Sequence, residues 1–111
     1  MIKITIKYDG KGFISRFIVG GHSGYDEAGK DIVCAAVSAV VQTAVLGLTD
    51  IAGIEPEYQQ AEGHIDCILP KYLSKDDKAV ADTILKTMTA GLKSIEYGYK
   101  SFISIEEKEG N

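Results

Sequence analysis

The sequence predicts an α+β fold: a mixed or largely antiparallel sheet of about five strands, in the order β-β-α-β-β-α-β, with two helices packed on it. Three observations indicate this fold. Short stretches alternate between apolar and polar residues, glycine-containing turns join most strands as hairpins, and two longer stretches have helical periodicity. With 111 residues, the chain is long enough for one core, so residues 1–111 are expected to form a single domain.

The first two strands are predicted to form a hairpin at the start of the chain. Residues 2–8 alternate, which is typical of a half-buried strand. The apolar face of this strand carries Ile2, Ile4, Ile6 and Tyr8. The Asp-Gly-Lys-Gly segment at 9–12 supplies the left-handed conformations that a hairpin turn needs. Residues 13–19 then return as the second strand, which ends at Gly20 and Gly21.

The first helix follows a polar loop that runs to Lys30. Asp31 is typical of a helix N-cap, because its carboxylate can accept backbone N–H bonds from the first turn. Residues 32–46 are apolar nearly all round, so we expect the sheet and either the second helix or another subunit to cover this helix on most sides. Gly47 is expected to end the helix.

A second strand pair and a second helix are predicted next. Residues 55–60 and 64–69 read as strands that turn at 61–63. Ser74, followed three residues later by an aspartate, is a helix start signal. The apolar stripe of the helix that follows consists of Val80, Ile84, Leu85, Met88, Leu92 and Ile95. Residues 101–107 alternate again as a last strand, and residues 108–111 are expected to fray.

Charge and composition exclude several classes of function. The formal net charge is -4 and no cluster of basic residues occurs, which argues against direct contact with nucleic acid. No run reaches the roughly 18 apolar residues of a membrane span, and the N-terminus lacks an export pattern. We therefore expect a cytoplasmic protein without membrane attachment. Its two cysteines, Cys34 and Cys67, are expected to be reduced there, and no C-x-x-C motif is present.

Cys34 stands where nucleophilic chemistry is possible. With Asp31 as N-cap, it occupies the third helical position, where amides and the helix dipole favour a thiolate, although the charge of Asp31 opposes this. His22 ends the second strand, and the glycine-containing loop 22–30 can fold back to bring its imidazole near the sulfur. A cysteine–histidine pair is the minimum for acyl transfer. The first-turn amides, including that of Cys34, are candidates for an oxyanion hole.

The residues by themselves leave other interpretations open. Free cysteine is among the most buried residue types, so Cys34 can be a packing residue and His22 an unrelated surface residue. Asp31 can be a plain helix cap. Ser38 lies one turn after Cys34, where its hydroxyl can bond the thiol, the substrate, or the helix carbonyl four residues back.

The second cysteine and histidine are interpreted as structural and solvated residues. Residues three apart on a strand face opposite sides, so Cys67 is expected in the core and His64 in solvent. Together with Cys34 and His22 they would give four zinc ligands, but their spacing does not favour a zinc site. We therefore expect no metal.

The combination of Gly21-His22, a short glycine-containing loop and the string D-I-V-C-A-A-V-S at 31–38 resembles the ribosomal-processing cysteine protease (Prp) family. The similarity extends over essentially the whole chain. It implies a bacterial cytoplasmic endopeptidase that removes a short N-terminal extension from the twenty-seventh protein of the large ribosomal subunit. It also implies a homodimer that needs neither metal nor cofactor.

The resemblance also implies roles for individual residues. The catalytic histidine and cysteine of the family fall on His22 and Cys34, and its aspartate and serine fall on Asp31 and Ser38 as supporting residues. The residues assigned to the lid or substrate loop are Gly21, Ser23, Gly24 and Gly29. The family often has alanine where this chain has Ser23, and Gly29 matches a glycine commonly found there.

Three hypotheses about function follow. The first is a cysteine endopeptidase with the His22–Cys34 dyad. The second is a non-catalytic ribosome-assembly binding module in which Cys34 only packs. The third is a thiol-based redox or metal sensor, which the absence of a nearby resolving cysteine disfavours.

Overall fold

The computed structural model describes residues 1–110 and contains five strands and two helices in the predicted order. The elements are β1 (Ile2–Tyr8), β2 (Ile14–Gly20), α1 (Ile32–Leu46), β3 (Glu57–Ala61), β4 (His64–Ile68), α2 (Lys75–Gly98) and β5 (Ile103–Glu109). The strands form one sheet in the order β3-β4-β2-β1-β5. β5 runs parallel to β1 and every other neighbouring pair is antiparallel. The predicted mixed α+β fold is confirmed.

One face of the sheet forms the core under the two helices. The fully buried side chains of this face and of the helices include Ile4, Ile6, Ile14, Phe17, Cys67, Val41, Leu85 and Leu92. The predicted hairpin turn between β1 and β2 is present. The Asp9 carboxylate accepts the N–H groups of Lys11 (2.8 Å) and Phe13 (3.1 Å), while Gly12 takes a left-handed φ of 85°. This local bonding fixes the register that buries alternate residues of β1.

α1 begins and ends where the sequence predicts, but the chain that follows it stays helical for one more turn. Asp31 is its N-cap, which confirms that prediction. Gly47 directly follows the last residue of α1, as predicted, but its backbone stays right-handed (φ -60°, ψ -41°) and begins a π-helical turn, Gly47–Ile51. Leu48 within this turn is completely buried, and its burial keeps the chain packed on the core for this additional turn. The left-handed glycine lies later, at Gly53 (φ 68°).

α2 begins as predicted, with Ser74 accepting the N–H of Asp77 at 3.1 Å. One member of the predicted stripe is wrong, because 45% of Val80 is exposed. Ala81 faces the core instead, in a row with Leu85, Met88 and Leu92. These four residues are spaced four, three and four positions apart, so they form one face of the helix, which packs on the core. Val80 lies beside that face.

The last strand is displaced from its predicted position. β5 covers Ile103–Glu109, whereas residues 101–107 were expected and residues 108–111 were expected to fray. Pairing with β1 along its whole length keeps residues 108 and 109 in the sheet. Of the expected frayed tail, Asn111 lies outside the described residues.

Within residues 1–110, the helical segment Ile32–Ile51 is long and apolar enough to cross a membrane by length and composition alone. Core helices of globular proteins meet the same criterion, so this is weak evidence for a span. Here the inner side of α1 packs on the core and beside α2. Its outer side is less covered than expected, since Ile32 and Leu46 are both more than half exposed.

Candidate active site

A cleft of about 240 Å³ opens between the N-terminal half of α1 and the turn that joins β3 to β4. Cys34 and His22 both line it. Its apolar lining consists of Ile2, Val19, Val37, Val41, Ala61 and Ile65, and its polar lining includes Ser38, Gln60, Glu62 and His64. Cys34 is half-buried and His22 is exposed, so a molecule entering the cleft can meet both side chains.

The start of α1 holds Cys34 through its N-cap. The Asp31 Oδ1 atom accepts the backbone N–H groups of Val33 (3.0 Å) and Cys34 (2.9 Å). Ser23 connects the preceding loop to the same place: its hydroxyl donates to Asp31 Oδ2 and its backbone N–H donates to the Cys34 sulfur at 3.4 Å. Cys34, the candidate nucleophile, is therefore hydrogen-bonded to Ser23, the residue that follows His22.

Three amides at the start of α1 already have acceptors, which argues against one interpretation of the sequence. That interpretation made the amides of this turn, including that of Cys34, candidates for an oxyanion hole. In the structure, the Val33 and Cys34 amides donate to the Asp31 side chain, and the Ala35 amide donates to the Asp31 carbonyl at 3.1 Å. A cap with a strongly accepting carboxylate takes the donors that such a hole would need.

Asp31 is ionised throughout the physiological range. Partial burial favours its neutral form, but hydrogen bonds from the Ser23 hydroxyl, the Cys34 and Asp26 amides and the Cys34 side chain outweigh that effect. Together they lower the pKa of Asp31 to about 2. A carboxylate with this pKa is charged at neutral pH, where it accepts the hydrogen bonds from the first turn of α1.

Two glycines allow His22 to sit at the rim of the cleft. Gly21 has a left-handed φ of 87°, and a Cβ there would lie 2.5 Å from the Met1 carbonyl oxygen. Its N–H donates to the Gly63 carbonyl at 2.9 Å. The His22 ring lies over Gly63, where a Cβ would come within 2.9 Å of Nε2. Larger residues at either position would displace the imidazole.

The loop between His22 and Asp31 is attached at two points. Its base is held by Ser23, while the Tyr25 ring packs edge-on against Phe102 and Tyr99, with centroids 5.2 and 5.7 Å apart. Gly24 and Gly29 both adopt left-handed conformations, with φ of 75° and 85°. Gly24 lets the chain turn between the two attachments, and Gly29 lets it turn again between Tyr25 and the start of α1.

Ser38 lines the cleft one turn beyond Cys34, and its bonding partner is one that the sequence did not indicate. Its oxygen accepts a hydrogen bond from Gln42 Nε2 at 2.7 Å. Within residues 1–110, Ser38 makes no hydrogen bond to the thiol or to the helix carbonyl four residues back. The contact with Gln42 leaves the hydroxyl proton of Ser38 available on the cleft wall.

The second cysteine lies outside the site. Cys67 is completely buried on β4, as predicted, and burial followed by the nearby charge of Asp66 raises the pKa of its thiol to about 12. His64 is exposed, also as predicted, although it contributes to the cleft rim. Within residues 1–110, no group of three or more His, Cys, Asp or Glu side chains is placed to hold a metal ion.

Comparison with known proteins identifies the family of this chain. Residues 1–104 match the family model described as cysteine protease Prp. The chain belongs to the Prp family. It is 33% identical to the ribosomal processing cysteine protease Prp of Bacillus subtilis over 107 residues, which cover 95% of this chain and 96% of the relative. The Prp resemblance inferred from the sequence is confirmed, and the chain is a cysteine protease.

Solved Prp structures share the fold. The ribosomal processing protease Prp of Staphylococcus aureus, in complex with a covalently linked product peptide, superposes with a TM-score of 0.88 at 29% identity. The same enzyme with a substrate peptide gives a TM-score of 0.82 at 28% identity. Each match covers 97% of this chain and 100% of the other.

Two residues of the site were missed or misjudged in the sequence. Ser23 was assigned only to the lid, yet it is buried and bonds both Asp31 and Cys34. Its position directly after His22 was the available signal. Gly63 was considered only as a turn residue, and nothing local indicates that His22 lies above it.

Proposed function

We propose that this chain is the endopeptidase that removes the N-terminal extension of the twenty-seventh protein of the large ribosomal subunit, with Cys34 as nucleophile and His22 as general base and acid. The observation that carries the proposal is that Cys34 and His22 line one cleft, with the sulfur half-buried and the imidazole at the rim. The printed names of the relatives, ribosomal processing cysteine proteases with bound peptides, support this class of substrate.

The proposed reaction is an acyl transfer in two stages. His22 takes the thiol proton as the Cys34 sulfur attacks the scissile carbonyl carbon, and the resulting tetrahedral intermediate collapses when the imidazolium protonates the leaving amine. The S–C bond of the acyl-enzyme is then broken by a water molecule that His22 deprotonates, and the thiol regains its proton. A relative with a covalently linked product peptide supports a covalent route. The mechanism requires no metal or cofactor.

The remaining predicted site residues support this dyad. Asp31 fixes the first turn of α1, and Ser38 presents its hydroxyl to the substrate. Gly21 lets the chain turn so that His22 reaches the cleft. Gly24 and Gly29 allow the loop to reshape when a peptide enters, so that the segment 22–30 acts as a lid.

The proposal includes the state and the partner of the protein. It acts as a cytoplasmic homodimer and contacts the ribosomal protein rather than nucleic acid. The exposed outer side of α1 supports dimerisation, because Ile32, Leu46 and, just beyond it, Ile51 are 53%, 55% and 86% exposed in a single chain. Apolar side chains exposed along one helix are typical of surfaces that associate. The formal charge of -4 fits a basic protein substrate better than a phosphate backbone.

The decisive experiment incubates the full chain with the ribosomal protein carrying its extension and follows cleavage by intact mass. We expect wild type and Cys67→Ala, the matched thiol control, to make one defined cut. Cys34→Ser should be slower by at least about a thousandfold, and His22→Ala by about 10² to 10⁴. Full activity in Cys34→Ser or His22→Ala would exclude the dyad.

The alternative is a non-catalytic module that binds the same ribosomal protein. It would be favoured if neither wild type nor any variant cut the protein while binding persisted in all of them. The half-buried position of Cys34 in an open cleft favours the enzyme over this alternative, since a packing cysteine gains most from complete burial.

A further inference from the structure

Gln60 lies on the sheet wall of the cleft, across from α1. In the pairing of β3 with β4, Gln60 is opposite Ile65 and Tyr58 is opposite Cys67. Directly paired residues of an antiparallel sheet project on the same face, and Ile65 and Cys67 are both buried in the core under the helices. The Gln60 side chain therefore projects to the helix side of the sheet, where it lines the cleft.

Tyr58 holds one end of the Gln60 carboxamide. Its ring is half-buried against the core, and its hydroxyl donates to Gln60 Oε1 at 3.0 Å. Within residues 1–110, Gln60 Nε2 donates to no protein group. The carbonyl end of the side chain is therefore fixed by a residue that the core holds, and the NH₂ end, with two donors, is left for another molecule.

The opposite wall of the cleft also offers a donor. Cys34, Ser38 and Gln42 are spaced four residues apart in α1, so they form one row along the helix. Because the Ser38 oxygen accepts from Gln42 Nε2 at 2.7 Å, the Ser38 hydroxyl proton is left to donate. A peptide whose scissile carbonyl reaches the Cys34 sulfur, and whose chain follows this row, passes between Ser38 and Gln60.

Unused donors on both walls fit a ligand that carries acceptors along its length. An extended peptide has a carbonyl oxygen on every residue, whatever its sequence. The cleft also has apolar side chains, Val41 and Ile65 among them, and these reduce the competition from water for hydrogen bonds to the peptide. The two walls are therefore suited to bind the backbone of the substrate.

We propose that Gln60 is a substrate-binding residue: its Nε2 donates a hydrogen bond to a backbone carbonyl of the peptide, opposite Ser38, and Tyr58 is the positioning residue that holds the carboxamide for it. This inference rests on the proposed function, because it assigns Gln60 to the same cleft and the same substrate. Gln60 contributes affinity, and the chemical step at Cys34 does not depend on it.

The kinetic test compares Gln60→Ala and Gln60→Glu with Gln59→Ala and Gln59→Glu in the full chain, using the extended ribosomal protein. Gln59 is a matched control, since it is the neighbouring exposed glutamine, pairs with Asp66 on the other face and does not line the cleft. Gln60→Ala should raise KM about three- to tenfold, the loss expected for one neutral hydrogen bond, with kcat changed less than about twofold.

The charged variants sharpen this comparison. Gln60→Glu should raise KM further than Gln60→Ala, because it sets a carboxylate against a carbonyl oxygen, whereas both Gln59 variants should match wild type. An unchanged KM in Gln60→Glu would overturn the proposal. An equal rise in Gln59→Glu would also overturn it, because the effect would then come from charge and not from a bond in the cleft.

A double-mutant cycle tests whether Tyr58 acts through Gln60. Tyr58→Phe removes the hydroxyl and keeps the ring in the core, so it should raise KM about two- to threefold. Added to Gln60→Ala, it should change KM by less than about 1.5-fold, because the carboxamide that it positions is gone. Effects that multiply would overturn the positioning role of Tyr58.

A binding measurement separates this inference from the proposed function. Fluorescence anisotropy of the labelled, extended ribosomal protein with Cys34→Ala requires no turnover, and adding Gln60→Ala should raise Kd about three- to tenfold. If wild type does not cleave, the proposed function fails, and this rise in Kd would still support the inference. An unchanged Kd, or no binding at all, would overturn the inference whatever the activity.

Backbone recognition is tested with synthetic peptides of the extension in which single amides are replaced by esters, which weakens one carbonyl acceptor at a time. One such replacement should weaken binding to Cys34→Ala and have little further effect when Gln60→Ala is also present. If Gln60→Ala were coupled instead to a side chain of the peptide, the assignment to the backbone would be overturned.

Discussion

The two cysteines of this chain share a side chain and differ in almost everything else. Cys34 lies half-buried at the start of α1, among the backbone and side-chain polar groups of Ser23 and Asp31. Cys67 lies in the middle of β4 with no exposed surface, in the apolar core. The comparison teaches that the environment determines whether a thiol is a reagent or a packing group.

The flanking secondary structure produces this difference. A helix start needs polar partners for its free amides, and these partners keep the surroundings of Cys34 polar and open to the cleft. A central strand satisfies its amides through neighbouring strands, so β4 can bury its alternate side chains completely. The candidate active site therefore lies at a helix start, where backbone amides donate to a side chain and not to other backbone groups.

The largest expected contrast is in alkylation. In the native protein, iodoacetamide should modify Cys34 at least about a thousandfold faster than Cys67, because Cys67 can react only after the core opens. The raised pKa of the Cys67 thiol, about 12, slows it further. Peptide mapping by mass spectrometry would measure both rates, with urea-unfolded protein as the control in which both sites react. Similar native rates would contradict the contrast and favour a packing role for Cys34.

A smaller contrast is expected in stability. Cys67→Ser should lower the free energy of unfolding by about 1–3 kcal/mol, because a hydroxyl in that apolar site lacks a hydrogen-bond partner. Cys34→Ser should cost less than about 1 kcal/mol, since polar groups already surround the sulfur. Urea unfolding of both variants would measure this difference. The comparison holds when the m-value, the slope of the unfolding free energy against urea concentration, is the same for both. An equal loss in the two variants would show that the sites are energetically alike.

The smallest expected effect is the pH dependence contributed by Asp31. Its pKa is about 2 in the folded protein and ordinarily 3.8, so between these values the unfolded state binds more protons. The stabilisation from Asp31 is therefore complete above about pH 4 and is lost as the pH falls through about 2. The free energies of unfolding of wild type and Asp31→Asn, measured from pH 5 to pH 2, should differ less as the pH falls. A constant difference would mean that the Asp31 charge does not stabilise the helix start.

Much of this arrangement could be predicted from local patterns. The alternation of residues 2–8, the Asp31 cap, the helix at 32–46 and the buried Cys67 all depend on neighbours within about four residues, and each is confirmed. The string around Cys34 also indicated the family, which the comparisons confirm. The predicted roles of His22 and Cys34 remain predictions that the cleft geometry supports.

Tertiary structure alone decided the rest, because it depends on contacts between distant residues. The parallel pairing of β5 with β1 moved the last strand by two residues, and complete burial of Leu48 carried the helical path past Gly47. The placement of Gly63 beneath His22 joins residues 41 positions apart, the difference between 63 and 22. The sequence by itself determined which segments become strands and helices and where a reactive thiol can stand. Long-range packing then decided which side chains lie beside that thiol, because the cleft forms only where α1 meets the turn between β3 and β4.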